Sequence, residues 1–167
     1  MGHIHELIDF TVSAYIVHEN RILLLEHKKL HTWLQPGGHI ELHEHPEEAI
    51  WRELKEETGL ERKNLRMIST LRARPPISAD AVSIPVPFDI NMHNFNKTHK
   101  HIDLAYLMVS NTAKVAPQAD ESTKLQWFTK AELETMRPAL LEGVYSRCLF
   151  ALDYLKAARQ LPDEPNV

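Results

Sequence analysis

The 167-residue sequence predicts a single α/β domain in which helices pack against a mixed β-sheet. Strand-like and helix-like segments are interspersed, without the regular strand–helix–strand alternation of an all-parallel sheet. Hydrophobic residues make up 43% of the chain and charged residues 25%, which is typical of a folded domain. We expect residues 1–160 to form this domain and residues 161–167 to be a flexible tail.

The first half of the chain is predicted to contain a β-hairpin, a loop and a helix. Phe10–Val17 and Arg21–Glu26 are apolar, β-branched runs, and the three polar residues between them suit a hairpin turn. The breaker cluster Pro36–Gly38 predicts a loop. Pro46–Thr58 is predicted to be an α-helix because proline suits its first position and Gly59 follows its last.

The second half is predicted to contain four strands, an irregular loop and two helices. Apolar or alternating runs predict the strands, and a proline-rich stretch predicts the loop. Leucines at helical spacing give the last helix an apolar stripe. The predicted strands are Arg66–Arg72, Phe88–His93, His99–Ser110 and Leu125–Phe128, the loop is Pro75–Pro87, and the helices are Lys130–Met136 and Ala139–Gln160.

The composition argues against several classes of protein. The formal net charge of −4 is unlike that of a general nucleic-acid binder, which carries a basic excess. The single cysteine, Cys148, cannot form an internal disulfide. The first residues lack an apolar signal core, and no apolar run approaches the roughly 20 residues of a membrane span. We therefore expect a cytoplasmic protein with no membrane partner and no stable nucleic-acid complex.

Three glutamates share one side of the predicted helix, because Glu53, Glu56 and Glu57 stand at positions i, i+3 and i+4. Like charges at this spacing repel by about 0.2–0.5 kcal/mol per pair, and the last turn of a helix disfavours anions. A solvated acidic face is one interpretation. A divalent cation site is the other, because Mg²⁺ prefers carboxylate oxygens.

The residues around these glutamates favour the cation site. Nine positions have the spacing of the Nudix box: Gly38, Glu44, Arg52-Glu53-Leu54, Glu56-Glu57 and Gly59-Leu60. The chain therefore resembles the Nudix hydrolase superfamily. The resemblance extends to Trp33–Gly38 before the box and to Leu125–Phe128 after it. It implies an α/β/α sandwich around a mixed β-sheet, with the box forming a loop, a helix and a loop.

The resemblance also implies a metal site. Members of the superfamily use Mg²⁺ or Mn²⁺, and the matching positions here make Glu56, Glu57 and Glu53 the expected ligands. The backbone carbonyl of Gly38, or of its neighbour Gly37, is expected to add a further ligand. These oxygen donors agree with the known preference of both cations.

Catalytic roles follow from the same resemblance. Arg52 and Glu44 are expected to form an ion pair that holds the loop and the helix together. The general base that activates water is open between Glu53 and the later loop pair Asp120 and Glu121.

The activity that the resemblance implies is cleavage of a pyrophosphate bond. The expected substrate is a nucleoside diphosphate linked to another group, a nucleoside triphosphate or another organic pyrophosphate. One alternative is a catalytically silent ligand-binding or regulatory module of the same fold, although such modules usually lose box carboxylates. Another is a prenyl diphosphate isomerase, for which Cys148 lies in the wrong region. A monomer and a homodimer are both open.

A second polar group follows two neighbouring predicted strands. Residues of alternating polarity share a face on each strand: Asp89, Asn91 and His93 on the first, and His99, His101 and Asp103 on the second. A turn at Asn94–Thr98 pairs the strands antiparallel. A symmetric register then opposes His93 to His99, Asn91 to His101 and Asp89 to Asp103. The group is interpreted either as a second metal site or substrate pocket, or as an exposed polar strand face.

Three further histidines lie beside the box. For His39, His43 and His45 we expect solvation in a loop, with contact to substrate phosphate as the alternative.

Overall fold

The computed structural model describes residues 6–27, 30–69, 76–117 and 124–158. In this part of the chain eight strands form one sheet, and three α-helices flank it. The strands are β1 (Ile8–His18), β2 (Arg21–His27), β3 (Thr32–Leu34), β4 (Gly37–His39), β5 (Leu65–Ile68), β6 (Asp89–Asn94), β7 (Lys100–Ser110) and β8 (Leu125–Thr129). The helices are α1 (Pro46–Thr58), α2 (Lys130–Met136) and α3 (Glu142–Ala158).

The long strand β1 organises the sheet. It runs parallel to β7, from the pair Ile8 and Lys100 to the pair Val17 and Val109, and antiparallel to β2 and β4. The strand order is β3-β2-β1-β7-β5, with β4 on β1, β6 on β7 and β8 on β2. One parallel pair among antiparallel pairs makes the sheet mixed, which confirms the predicted sheet type.

Helices cover both faces of this sheet. Ile50 and Leu54 of α1 pack in a core with Ile16 of β1, whereas Cys148 of α3 packs in a second core with Tyr15. Successive residues of a strand point to opposite faces, so β1 contributes to both cores. The two helix layers confirm the predicted α/β/α sandwich.

The hairpin and the first helix are confirmed, with α1 beginning and ending where predicted. The loop predicted at Pro36–Gly38 is wrong in part, because Gly37–His39 form the short strand β4 against Thr11–Ser13. The approach of the two backbones is so close that a Cβ at Gly37 would collide with the Val12 carbonyl. Glycine at position 37 therefore allows β4 to pair with β1, although the Gly-Gly sequence was expected to interrupt regular structure.

Most of the second half also agrees with prediction. The strands β6, β7 and β8 and the helix α2 lie within one residue of their predicted ends. The last helix begins later, at Glu142, because Arg137–Ala139 form a 3₁₀ turn and Leu140 is extended. Residues 70–75, which include the predicted end of one strand and the start of the loop, lie outside the described residues, as do 159–160 and the predicted tail 161–167.

None of the described helices is long and apolar enough to cross a bilayer.

Ile50→Ala is expected to lower the free energy of unfolding by about 2–5 kcal/mol, because Ile50 is fully buried between α1 and the sheet and its truncation leaves a cavity. Ile77→Ala is the matched control. This isoleucine is 98% exposed, so the expected change is within about 0.5 kcal/mol. Urea unfolding of both variants measures the difference. Equal effects would contradict the packing of α1 described above.

Candidate active site

The helix α1 places the three glutamates beside the strand β4. Its first turn is capped by His45, whose side chain accepts from the Glu48 amide while Glu48 accepts from the His45 amide. Its last turn ends at Gly59, which has the left-handed conformation (φ 71°) that glycine adopts without strain. Glu53 is buried at the edge of the core, with 5% of its surface exposed. The helix is therefore fixed at both ends, and its carboxylates face the Gly37–His39 backbone.

Arg52 connects the parts of the site. Its Nε and Nη2 donate to the two carboxylate oxygens of Glu44 at 2.5 and 3.1 Å. Its Nη1 donates to Glu53 at 2.8 Å and to Glu56 at 3.2 Å, and Nη2 also donates to the His39 carbonyl at 3.0 Å. The ion pair expected between Arg52 and Glu44 is thus present, and the same guanidinium holds two of the three box glutamates.

The Arg52–Glu44 ion pair shifts the pKa of both groups. The hydrogen bond from Arg52 lowers the pKa of Glu44 below its ordinary value, although partial burial opposes the shift. The hydrogen bond to Glu44 is likewise the main cause that raises the pKa of Arg52. The pair is therefore charged at neutral pH, and the loop remains attached to the helix.

The strand β4 contacts the carboxylates of Glu57 and Glu53. The Gly37 amide donates to Glu57 at 2.8 Å, and a Cβ at Gly38 would collide with the Glu53 carboxylate. The Glu53 carboxylate thus occupies the space that a side chain at position 38 would need. Oxygen donors of this kind fit Mg²⁺ or Mn²⁺, with Glu53, Glu56 and Glu57 as the residues that would hold the cation. A cation bound there supplies positive charge against the anionic oxygens of a pyrophosphate.

Of the two candidates for the general base, only Glu53 lies among the residues that the structure describes. Glu53 lies within the site and accepts from Arg52. Asp120 and Glu121 lie outside the described residues. The alternative between them stays a prediction.

The second polar group is built as two antiparallel strands, but in a different register from the one predicted. β6 and β7 pair His93 with His101, Asn91 with Asp103 and Asp89 with Ala105. The predicted symmetric register is therefore wrong by two residues. The turn is longer because Asn96 accepts from the amides of Thr98 and His99. The shift removes the unfavourable opposition of Asp89 and Asp103.

This register separates the residues that the sequence grouped together. Asp103 accepts from Ser13 at 2.7 Å and from Thr11 at 3.0 Å, across the parallel pair of β1 and β7. Asp89 pairs instead with Arg147 of α3, at 2.5 Å. His93 is exposed, and its Nδ1 lies 3.0 Å from the Asn91 side-chain oxygen. The Asn91 side-chain nitrogen also donates to Asp103 at 3.4 Å, so Asn91 connects His93 with Asp103, and only Asp89 of the three has a separate partner.

His99 and His101 lie in a different group, here called the histidine cluster: Asp9, His39, His99 and His101. Nε2 of His39 and Nε2 of His99 both lie 3.2 Å from Oδ2 of Asp9, which is fully buried. The ring of His101 lies 4.9 Å from that of His39. The expectation that His39 is solvated in a loop is wrong, because it belongs to β4 and only 19% of its side chain is exposed.

Burial and neighbouring charge affect the imidazole of His101. Burial, together with the neighbouring His39, His93 and His99, lowers its pKa to about 4, although Asp9 opposes the shift. His101 is therefore neutral at physiological pH.

Sequence reasoning missed Asp9 and His39 as members of this cluster. Asp9 stands at the start of an apolar strand, and its partners are 30 or more positions away in sequence. The one local signal was the strand period itself, which places Asp9, Thr11 and Ser13 on one face.

The fold and the site together define a class. A mixed sheet between two helix layers, with an acidic helix following a Gly-Gly strand, is the architecture that the box spacing implied. The chain belongs to the NUDIX domain family, whose family model matches residues 8–148.

Individual relatives agree with this assignment. A probable DHNTP pyrophosphohydrolase of Lactococcus lactis subsp. cremoris is 32% identical over 107 residues, which are 64% of this chain and 57% of the relative. The match thus spans little more than half of the relative's length. A NUDIX family hydrolase of Clostridium perfringens is 31% identical with a TM-score of 0.74, covering 88% of this chain and 97% of that one.

A third similarity concerns the fold alone. An Ap4A hydrolase of C. elegans superposes with a TM-score of 0.68 at 17% identity, over 90% of this chain and 98% of that one.

Glu44→Gln is expected to lower the free energy of unfolding at pH 7 by about 1.5–3 kcal/mol, because it weakens charged hydrogen bonds from Arg52. The pKa of Glu44 is lower in the folded protein than its ordinary value of 4.5. Its contribution is therefore complete above about pH 4.5 and is lost as the pH falls through the folded-state value. Urea unfolding between pH 3 and 7 should show the difference from wild type shrinking with acid. A difference independent of pH would contradict this.

Cys148 is expected to resist alkylation in the native protein. The side chain is fully buried in the core beneath α3, and burial raises the pKa of its thiol to about 12. Iodoacetamide should therefore modify it only in urea, as measured by mass spectrometry. Rapid modification without denaturant would contradict the burial and would reopen the isomerase alternative, which needs a reactive cysteine.

Proposed function

We propose that this chain is a metal-dependent hydrolase that cleaves a pyrophosphate bond in a nucleoside diphosphate linked to another group or in a nucleoside triphosphate. The observation that carries the proposal is the complete carboxylate set of the box on one side of α1, with Glu53 and Glu57 against the Gly37–Gly38 backbone and Glu56 held by Arg52. Family membership supports the same assignment.

The residues of the site have two kinds of role, as cation ligands and as positioning residues. Glu53, Glu56 and Glu57, with the Gly38 carbonyl as a further ligand, would hold Mg²⁺ or Mn²⁺, which would supply positive charge against the substrate's anionic oxygens. Arg52 and Glu44 are positioning residues, because they hold the loop, the strand β4 and the helix in one arrangement.

Hydrolysis itself needs a base. Water attacks one phosphorus, the bridging P–O bond breaks, and the attacking water loses a proton to a carboxylate. Glu53 is the first candidate for that carboxylate, and the pair Asp120 and Glu121 is the second.

The substrate class is a small nucleotide or another organic pyrophosphate. One similar protein supports this class, since it is named a probable DHNTP pyrophosphohydrolase. A cytoplasmic location and the absence of a stable nucleic-acid complex belong to the same proposal, and the net charge of −4 supports the latter.

The test is a screen of pyrophosphate-containing metabolites with Mg²⁺ and with Mn²⁺. It compares wild type, Glu57→Gln and Glu134→Gln, and it detects phosphate, pyrophosphate and nucleoside monophosphate. Glu57→Gln is expected to lower turnover at least about tenfold because it removes a cation ligand. Glu134→Gln makes the same change of charge at an exposed position of α2 and is expected to retain wild-type turnover.

Two results would contradict the proposal in different ways. Equal turnover by wild type and Glu57→Gln would refute the ligand assignment. Tight binding of one compound without turnover would instead support the regulatory module.

A further inference from the structure

We propose that the histidine cluster binds a divalent transition-metal ion, with Zn²⁺ as its representative. The site would be formed by Asp9, His39, His99 and His101 on the α3 face of the sheet. It is distinct from the carboxylate site on α1, and it does not depend on whether the chain hydrolyses pyrophosphates.

Three strands bring the ligands together. Parallel pairing of β1 and β7 sets Asp9 beside His101, and antiparallel pairing of β1 and β4 sets His39 beside Thr11 on the same face. The ligand atoms of Asp9, His39 and His101 lie within 4.8 Å of one another. Asp9, His39 and His101 are thus positioned by the backbone ladder of the sheet, and His99 directly precedes β7.

The spacing of the donor atoms fits one small ion. With metal–ligand bonds of about 2.0–2.1 Å, two ligands of a tetrahedral Zn²⁺ lie about 3.3 Å apart. Nε2 of His39 and Nε2 of His99 each lie 3.2 Å from Oδ2 of Asp9. The ligand atom of His101, which lies within 4.8 Å of those of Asp9 and His39, has to move closer to bind the same ion.

The second nitrogen of His99 supports the assignment. Its Nδ1 lies 3.1 Å from the Glu6 carbonyl, which can only accept, so Nδ1 carries the hydrogen. In the neutral ring, Nε2 then directs its lone pair at the Asp9 carboxylate. Such an arrangement is repulsive unless a cation or a proton lies between the two atoms. Histidines that bind metals commonly donate their other ring N–H to a backbone carbonyl in this way.

The donor chemistry separates this site from the box. Imidazole nitrogens together with one carboxylate suit Zn²⁺ and its first-row neighbours, whereas the box offers oxygens only. Burial adds to the argument, because Asp9 is fully buried and His99 is 3% exposed, and buried charges are commonly paired or bound to metals. The partly exposed side chain of His39 gives an ion access to the cluster.

The experiment measures Zn²⁺ binding by the full chain after removal of metals with a chelator. Equilibrium dialysis and metal analysis compare wild type with His39→Gln, His101→Gln, Glu57→Gln and the exposed control His31→Gln. Circular dichroism verifies that each variant is folded. Wild type, Glu57→Gln and His31→Gln should each bind one tight equivalent, and the two cluster variants should bind it at least about tenfold more weakly.

Thermal unfolding gives a second measurement that needs no cluster variant. Zn²⁺ should raise the Tm of Glu57→Gln as it does that of wild type, because binding to the native state alone stabilises it. This readout decides the matter if His39→Gln and His101→Gln fail to fold.

Three results would overturn the proposal. Folded cluster variants that bind Zn²⁺ like wild type would exclude these ligands. Loss of the tight equivalent, or of the Tm shift, in Glu57→Gln alone would place the ion at the box. Absence of tight binding and of a Tm shift in wild type would mean that a proton, and not a metal, lies between Asp9 and His99. None of these outcomes bears on pyrophosphate hydrolysis, so the two proposals fail separately.

Discussion

The arrangement of the box depends on the hydrogen bonds that the Arg52 guanidinium donates. The guanidinium joins three pieces of chain that have no covalent reason to lie together: the loop through Glu44, the strand β4 through the His39 carbonyl, and its own helix through Glu53 and Glu56. The segment from Glu41 to Glu57 holds seven acidic residues and two basic ones. The positive charge of Arg52 therefore counteracts much of the repulsion among these carboxylates. A lysine could not replace it, because a single ammonium lacks the planar fork that contacts Glu44 in two places.

The short strand β4 explains how one fold presents two sites of different chemistry. Neighbouring residues of a strand point to opposite faces, so Gly38 meets Glu53 on the α1 face while His39 meets Asp9 on the other. Glycine at 37 and 38 leaves room for the β1 backbone and for the glutamate carboxylate, respectively. The same three residues thus form one wall of the candidate active site and contribute a member of the histidine cluster.

What could be predicted from the sequence was local. The helix over Pro46–Thr58 and its glycine terminus follow from local residue types and spacing, whereas the Arg52–Glu44 pair was implied by the resemblance of the box. The register of β6 and β7 could not be predicted in this way. It depends on the Asn96 side chain, which accepts hydrogen bonds from two backbone amides and thereby lengthens the turn. Strand alternation indicated His99 and His101 as candidate members of a polar site, but Asp9 and His39 could not be predicted, since Asp9 meets His101 only through the parallel pairing of β1 with β7. Nothing in the neighbourhood of Asp9 indicates that pairing.

The two sites, on the proposed assignments, would select different cations by donor type. Affinity for a nitrogen-containing site rises across the first-row divalent ions toward Cu²⁺ and Zn²⁺, whereas Mg²⁺ is held by carboxylate and water oxygens. An ion bound by the histidine cluster would also fix the His39 backbone, whose carbonyl accepts from Arg52. One hydrogen bond therefore links the strand that carries a ligand of the cluster to the guanidinium that holds Glu53 and Glu56 of the box.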